Sequence, residues 1–357
     1  MSPLPLLSSL LLLAGPWSVS TIDGSGNPGQ HTSIAVDASG NVHVAWCDFT
    51  APNRRQLCYS RSTESGEWTR ELVDASADVG GGASLALDRS GEPVISYFDF
   101  SHQSLKLARH RAGAWALEVV DGAESVGIDS SLAVDRNGRL HVSYYDLSNR
   151  SLKYARQDGP GAAWALETVD LDGEVGKDSS LALDEKGRPH IAYLDEGRRQ
   201  LRYARWTGTR WDLSTVDLAG HVGFGASLAL DGQGRPAIAY WDFGKERLKF
   251  ARKDPQRGWT FQTVVCGSPG ARTSLVRDGR DRLHLAFFRP GKGVAHATLE
   301  DGQWSVEAIP DAPSTGYEAS LALDPRGAPV LVFVDRDAHR VQLARPASGP
   351  SLAARSP

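Results

Sequence analysis

Hydrophobic and polar positions repeat along this chain with a long period, and each period begins at a tryptophan. The tryptophans that open the seven periods stand 45 to 51 residues apart: Trp17, Trp68, Trp115, Trp164, Trp211, Trp259 and Trp304. In the regular copies the tryptophan run is followed by a glycine-containing loop, then by a Ser-Leu-Ala-Leu-Asp segment, and then by two further short apolar runs. Repetition at a fixed period of this length indicates a repeat architecture with one structural unit per period.

Within one period the pattern predicts four short β-strands. In the fourth copy we place them at residues 180–184 (strand A), 190–195 (strand B), 201–205 (strand C) and 211–217 (strand D). The runs contain β-branched and aromatic residues and are bounded by Gly, Pro, Asp or Asn, as strands are. No segment sustains the i, i+3, i+4, i+7 apolar spacing of a helix. We therefore predict an all-β fold of four-stranded antiparallel sheets.

Turn residues recur with the strands. The A–B turn reads Asp-x-x-Gly in six copies, where the aspartate is expected to cap backbone N–H groups and the glycine to take a positive φ. The sixth copy has Asp281 in place of that glycine. A second glycine stands four residues before the strand-A serine in every copy, which predicts a left-handed or closely approached backbone position there.

The strand count predicts a closed ring. Trp17–Asp23 is a D strand that precedes the first A strand, and only a Pro/Ser-containing tail follows the last C strand at residues 341–345. The N-terminal strand can therefore complete the last sheet, which predicts a seven-bladed β-propeller closed by its two ends. The chain would then divide into a leader (residues 1–16), the propeller (17–345) and a disordered tail (346–357).

The leader and the cysteines favour an exported protein. Residues 4–14 form an apolar run that is too short to span a bilayer but suits a signal peptide. No Lys or Arg precedes the run, so a mis-assigned start within a longer leader is the alternative. Cys47 in strand B and Cys58 in strand C are expected to face each other and form a disulfide, with Cys266 left free. A disulfide requires an oxidising compartment, and we expect a secreted, periplasmic or cell-envelope protein.

Charge and motifs exclude several classes of protein. Lys and Arg number 39 against 43 Asp and Glu, a net charge of −4, and no long basic run is present. A nucleic-acid partner is therefore not expected, because such binding needs clustered cations. No Cys/His spacing typical of zinc sites, no phosphate loop and no membrane-spanning run is present, so we predict no metal, no cofactor and no membrane span.

The regular copies closely follow the motif S-L-A-L-D-x-x-G-x-P, continued by I-A-Y-x-D and L-K-Y-A-R. This motif resembles the repeats of exported bacterial seven-bladed propellers, some of them lectin-like. The resemblance covers nearly the whole chain from Trp17 to Arg345 and implies the propeller fold. That group shares its superfold with sialidases, but the sialidase Asp-box, Ser-x-Asp-x-Gly-x-x-Trp, is absent here. The resemblance therefore assigns no catalytic residue.

A first candidate site is the mouth of the central channel, on the face shared by the D–A and B–C loops. The residues two places before each strand-A serine are His31, Gly82, Asp129, Asp178, Gly225, Arg272 and Glu318. Their variation permits either a ligand site or an unconstrained solvated rim. Asp129 and Asp178 are expected on adjacent blades, where two carboxylates could hold a cation or share a proton. Arg272 and Glu318 are expected to form an ion pair.

A second candidate set is the aspartate that ends strand B. It recurs in six copies and is replaced by Arg289 in the sixth: Asp48, Asp99, Asp146, Asp195, Asp242 and Asp335. Its simplest role is to cap the B–C turn. Alternatively, these carboxylates accept hydrogen bonds from ligand hydroxyl groups while rings such as Tyr145 and Trp241 cover apolar sugar faces.

These observations favour a monomeric, non-catalytic binding protein that recognises a glycan or a protein on this loop face. Every repeat spends its residues on strands and short connections, whereas catalytic propellers carry long, unequal loops. One alternative is a glycan hydrolase or lyase, which needs paired carboxylates. Its candidate groups all lie at the channel mouth: Asp129, Asp178 and Glu318 as acid and base, Arg272 for an anionic substrate, and Tyr317 or His31 in support. A structural part of the cell envelope is the third possibility.

Overall fold

Seven four-stranded antiparallel sheets make up the protein, as a computed structural model shows. The structure describes residues 17–29, 31–49, 54–63, 66–268, 270–314, 316 and 318–347. Within these residues the chain forms 28 strands and no helix. The predicted all-β fold and the number of blades are confirmed.

Each sheet, or blade, orders its strands A, B, C and D. The A strands are β2 (Ser33–Val36), β6 (Val79–Leu87), β10 (Val126–Val134), β14 (Val175–Leu183), β18 (Val222–Leu230), β22 (Thr273–Arg277) and β26 (Ala319–Leu323). The B strands are β3 (Val42–Asp48), β7 (Pro93–Asp99), β11 (Leu140–Asp146), β15 (Pro189–Asp195), β19 (Pro236–Asp242), β23 (Leu283–Arg289) and β27 (Pro329–Asp335). The C strands are β4 (Gln56–Ser62), β8 (Ser104–Arg111), β12 (Ser151–Gln157), β16 (Gln200–Trp206), β20 (Arg247–Asp254), β24 (Gly293–Glu300) and β28 (Arg340–Pro346). The D strands are β5 (Trp68–Asp74), β9 (Ala114–Asp121), β13 (Ala165–Asp170), β17 (Trp211–Asp217), β21 (Gly258–Cys266), β25 (Gln303–Ala308) and β1 (Trp17–Asp23).

The A strands stand side by side around a central channel. Each contacts the A strands of the two neighbouring blades, and β26 contacts β2, so the ring is complete. The last blade has the order β1-β28-β27-β26, with Trp17 opposite Pro346 and Asp23 opposite Val341. The predicted closure by the N-terminal strand is therefore confirmed.

Strand A begins earlier than the sequence predicted in four blades, because its first residues form a bulge. In blade four the strand starts at Val175 rather than Ser180, and its register against β15 shifts on both sides of Lys177. Gly176 has a φ of 113°, and a Cβ there would lie 2.7 Å from the Cα of Leu152. The glycine four residues before the strand-A serine thus lies within the strand and allows the bulge to pass close to the neighbouring blade.

The strand-A serine joins adjacent blades. In six of the seven junctions its Oγ accepts the amide of the strand-A leucine of the next blade, for example Leu85 N to Ser33 Oγ at 2.9 Å. At the ring closure Ser320 Oγ instead donates to the carbonyl of Thr32. The repeated Ser-Leu pair is therefore explained by contacts between the blades.

A buried polar network joins the outer parts of four blade pairs. Between blades one and two, Asp74 Oδ2 accepts Tyr97 Oη at 2.7 Å and Lys106 Nζ at 2.6 Å. The same arrangement recurs as Asp121/Tyr144/Lys153, Asp170/Tyr193/Arg202 and Asp217/Tyr240/Lys249. Between blades five and six the corresponding residues are Val265, Phe287 and Ala295, which pack in an apolar cluster.

The A–B turns have the predicted chemistry. Asp37 Oδ1 accepts the amides of Ser39 and Asn41, both at 2.9 Å, and Gly40 has a φ of 87°. In the sixth copy Asp281 takes the glycine's place at a φ of 66°. Aspartate is among the residues that tolerate this conformation, so the turn is kept.

The predicted disulfide between Cys47 and Cys58 is wrong. Cys47 lies opposite Leu57, and Cys58 lies opposite Trp46. The two cysteines are therefore one position out of register, and successive side chains of a strand point to opposite faces. All three cysteines are free, with Cys266 exposed. Burial raises the pKa of both Cys47 and Cys58 to about 12, so neither thiol is reactive at neutral pH.

The proposed leader, residues 1–16, lies outside the described residues, as does the tail from residue 348 onward. Pro346, assigned to the tail from the sequence, is the last residue of β28. None of the described residues belongs to a helix long and apolar enough to cross a membrane.

Candidate functional site

The channel mouth brings the predicted ring of residues together. Their shared cavity has a volume of about 170 Å³ and is lined mainly by the starts of the A strands, with His31, Asp178, Arg272 and Glu318 on its wall. In the first five blades the ring residue has a positive φ: His31, Gly82, Asp129, Asp178 and Gly225, at 71°, 57°, 54°, 49° and 55°. Gly, Asp and His tolerate this conformation better than most residues. The backbone therefore explains part of the residue choice.

Asp129 and Asp178 lie on adjacent blades, as predicted. The amide of Asp178 donates to Asp129 Oδ2 at 3.1 Å, and the amide of Gly225 donates to Asp178 Oδ2 at 3.0 Å. Burial, and then the charge of Asp129, raise the pKa of Asp178 to about 6. Burial is also the largest influence on Asp129, but the Arg272 guanidinium and the amide of Asp178 together outweigh it and hold the pKa of Asp129 below its usual value. The two carboxyl groups therefore titrate in different ranges.

The expected ion pair between Arg272 and Glu318 is wrong. Arg272 extends from blade six across the channel, contacts Asp129 of blade three and lies 3.9 Å from Asp178 of blade four. Glu318 turns to blade one, where its Oε1 accepts the amide of Thr32 at 3.1 Å and its Oε2 lies 3.7 Å from His31 Nδ1. The long side chain of Arg272 thus reaches carboxylates on the opposite side of the channel, rather than the carboxylate of the next blade.

The remaining ring candidates add little chemistry. Burial lowers the pKa of His31, although Glu318 acts in the opposite sense, so the imidazole is neutral at pH 7. Tyr317 lies outside the described residues. The described residues contain no group of three or more His, Cys, Asp or Glu side chains arranged to hold a metal ion.

The aspartates that end strand B cap the B–C turns. Asp146 Oδ1 accepts the amide of Asn149 at 2.8 Å, Asp195 Oδ1 that of Arg198 at 2.8 Å, and Asp242 Oδ1 that of Lys245 at 3.0 Å. All three carboxylates are buried, and the side chains of Tyr145 and Trp241 are each only 1% exposed. These rings present no open face to a sugar, and the capping role accounts for the carboxylates.

The structure also shows an apolar rim that the sequence reasoning missed. The residue after the capping aspartate is an exposed hydrophobic side chain in three blades: Phe49, Leu147 and Phe243, with exposures of 45%, 47% and 40%. Phe100 takes this place in blade two and is partly exposed. The signal was present in the sequence, since four of the seven copies carry Phe or Leu directly after strand B.

At the first two blades this rim borders a pocket. A pocket of about 450 Å³ is lined by residues that include Asn27, Phe49, Phe100, Arg336 and His339, and His31 borders it on the channel side. His339 Nδ1 lies 2.9 Å from Asn27 Oδ1. The pocket therefore combines two aromatic rings with polar groups from blades one and seven.

Glycine positions make room for these rings, and one ion pair fixes the pocket wall. A Cβ at Gly29 would lie 2.1 Å from a ring carbon of Phe49, and one at Gly81 would lie 2.4 Å from the ring of Phe100. Arg55 Nη2 pairs with Asp78 Oδ2 at 2.6 Å, and its guanidinium lies over the ring of Phe100, 3.2 Å from the centroid. The orientation of Arg55 is thus set before any ligand arrives.

No protein-family model and no curated protein matches the sequence. Solved structures are similar in fold. A protein of unknown function from Dyadobacter fermentans DSM 18053 is 14% identical, with a TM-score of 0.56 over 82% of this chain and 96% of that one. The six-bladed propeller lectin of Aleuria aurantia, described as having a novel fucose recognition mode, is 14% identical, with a TM-score of 0.54 over 81% and 96%. The NanB sialidase of Streptococcus pneumoniae is 12% identical, with a TM-score of 0.50 over 92% and 70%. At these identities the similarity shows the propeller fold alone.

Proposed function

We propose that this protein is an exported, non-catalytic carbohydrate-binding β-propeller that holds a sugar in the pocket between its first two blades. The observation that carries the proposal is the pair of aromatic rings, Phe49 and Phe100, at a pocket bordered by Arg55, Arg336 and His339. Its volume of about 450 Å³ lies within the range of roughly 300–1,000 Å³ that is usual for small-molecule sites.

Sugars suit this combination of groups. The C–H faces of a pyranose pack on an aromatic ring, and its hydroxyl groups need donors and acceptors at the ring edge. Phe49 presents nearly half of its side chain to solvent, and Asn27 and His339 line the same pocket. The lectin named above, which recognises fucose, supports the same function on a related fold.

The channel mouth fits catalysis less well. Its cavity of about 170 Å³ is small for a substrate, and Arg272 already neutralises the carboxylate of Asp129. One observation favours the hydrolase alternative: the pKa values of Asp178 and Asp129 move in opposite directions, as in enzymes that divide acid and base roles between two carboxyl groups. Turnover that is lost in Asp178→Asn would support that alternative.

A glycan array followed by calorimetry with the best glycan tests the proposal. Phe49→Ala and Phe100→Ala should each weaken binding by about three- to tenfold, the contribution of one aromatic contact. Phe261→Ala is the matched control, because Phe261 on β21 is 46% exposed and lies away from the pocket. Unchanged affinity in both pocket variants, or an equal loss in the control, would contradict the proposal.

Export is part of the proposal and rests on the apolar leader of residues 4–14. The absence of a disulfide between the buried cysteines removes the second argument for it. N-terminal sequencing of the mature protein, purified from its native host, should find that the first 14 to 16 residues have been removed. An intact N-terminus in cytosolic material would contradict export.

A further inference from the structure

The corner between blades five and six lacks the carboxylates that the same corner carries at four other junctions. At four junctions this corner holds two carboxylates and one cation: Asp74/Asp99/Lys106, Asp121/Asp146/Lys153, Asp170/Asp195/Arg202 and Asp217/Asp242/Lys249. The cation lies between the two acids, since Lys106 Nζ is 2.6 Å from Asp74 Oδ2 and 3.7 Å from Asp99 Oδ2. Counted over these three positions, each corner carries one net negative charge, and in blades four and five a further arginine, Arg198 or Arg247, pairs with the strand-B aspartate.

At the junction of blades five and six the same three positions are Val265, Arg289 and Ala295. Both carboxylates are gone, and the remaining charge is positive. Lys292, in the turn that follows Arg289, adds a second cation. Neither side chain forms an ion pair with any described residue. This corner therefore has two cations whose charges no carboxylate of the described chain offsets.

The two cations border a pocket of about 250 Å³ on the loop face. Val265 and Pro290 form part of its apolar lining, and Trp241 belongs to its wall. The indole Nε1 of Trp241 is buried and has no hydrogen-bond partner among the described residues. Buried donors are nearly always paired in native structures, so this N–H calls for an acceptor that the described chain does not supply.

We infer that this pocket binds an anionic group, namely the carboxylate or sulfate of an acidic sugar. Guanidinium and ammonium groups form their strongest hydrogen bonds with such oxyanions. The size of the pocket suits one charged monosaccharide unit. The anion site follows from the blade-six residues themselves, and the assignment to a sugar rests on the proposed carbohydrate-binding function.

Cys266 provides a direct readout. It is the exposed cysteine and lines the pocket, whereas Cys47 and Cys58 are buried. The rate of its alkylation by uncharged iodoacetamide is measured with increasing sodium glucuronate, glucose or sodium sulfate. Glucuronate should slow the reaction at millimolar concentrations, and glucose should not. The protection should weaken as salt is added, because the cations are partly exposed.

Two variants locate the effect. Arg289→Gln and Lys292→Gln should each weaken protection by glucuronate about tenfold, the factor expected for one hydrogen bond to a charged group. Lys245→Gln is the matched control, because Lys245 holds the corresponding turn position in blade five. Unfolding temperatures of all three variants are recorded, so that a misfolded variant is recognised. Arg289→Lys keeps the positive charge and should retain protection, which separates loss of the charge from damage to the fold.

The outcomes separate this inference from the proposed function. Equal protection by glucuronate and glucose, or no change in Arg289→Gln, would overturn the anion site. Protection by sulfate without protection by glucuronate would overturn its assignment to an acidic sugar. If Phe49→Ala leaves glycan binding intact while glucuronate protection depends on Arg289, the pocket between blades one and two is wrong and the anion site stands.

Discussion

Buried histidines should make the protein lose stability between pH 6.5 and pH 4. His141 Nδ1 lies 2.5 Å from Tyr154 Oη in blade three, and His190 is paired with Tyr203 in the same way in blade four. Burial lowers the pKa of His141 and of His190 to about 4, against an ordinary value of 6.5, although Asp135 acts in the opposite sense on His141.

The sign follows from linkage. The folded state binds a proton on these histidines only near pH 4, whereas the unfolded state binds it near pH 6.5. Stability is therefore unaffected above pH 6.5 and falls as the pH drops toward 4. At pH 5 each histidine should cost about 2 kcal/mol, and the full difference of about 2.5 pKa units corresponds to roughly 3.4 kcal/mol. Two such groups are a large part of a typical stability of about 5–15 kcal/mol.

The repeats suggest a variant that removes one of these histidines and replaces it with a residue pair already packed at the same position of another blade. Blade two has Val94 and Leu107 at the positions of His190 and Tyr203, so the double substitution His190→Val/Tyr203→Leu copies an existing pair. Urea unfolding at pH 7.5 and pH 5 gives the free energy of unfolding. Wild type should lose about 2 kcal/mol more than the double variant over this interval.

The comparison isolates the histidine because burial raises the pKa of Tyr203, the other group removed, still further above the pH range of the experiment. The remaining titrating groups are common to both proteins. Phe250→Leu in blade five serves as the control, since its partner there is Ala237 and no histidine is removed. Its pH dependence should equal that of wild type. An equal loss in wild type and in the His190→Val/Tyr203→Leu variant would refute the argument.

Two further predictions concern covalent state and the blade junctions. Thiol titration of the denatured, unreduced protein should find three free groups, and a count of one would restore the disulfide that the register of β3 and β4 excludes. Asp121→Asn should lower the free energy of unfolding by about 3 kcal/mol, because Lys153 loses its buried partner. The triple variant Asp121→Val/Tyr144→Phe/Lys153→Ala copies the apolar residues at the junction of blades five and six. It should recover most of that loss in urea unfolding. Equal stability of the single and triple variants would contradict this explanation of the junctions.

The fold could be predicted from the sequence because every copy repeats the same local signals. Trp, Asp-x-x-Gly and the strand-A serine fix the order of strands, and the position of Trp17–Asp23 fixes the closure. Register could not be predicted to one residue by counting hairpin lengths. The pairing of Cys47 with Leu57 rather than Cys58 shows the size of the error, and a single step is enough to reverse the face of a side chain.

The candidate site was harder to predict, because its contacts join blades that are distant in the ring. Arg272 contacts Asp129, 143 residues away in the sequence. No local sequence pattern predicts which side chain extends across the channel. The aromatic rim was missed for another reason. Phe49 and Phe100 occupy a position that is Phe or Leu in four copies and Glu, Pro or Arg in the other three, and attention to residues that recur in nearly every copy passes over such a position.

The closing strand also has a consequence for the order of folding. A hydrogen bond from Ser18 to the carbonyl of Arg345 spans 327 residues, whereas bonds between adjacent blades span about 48. For a flexible chain the longer closure would cost about 1.7 kcal/mol more. Blades that have already assembled as an arc hold the two ends near each other and remove most of that difference. Pairing of β1 with β28 should therefore be the final step of assembly, and until it occurs the edge of β28 is open to pairing with other chains.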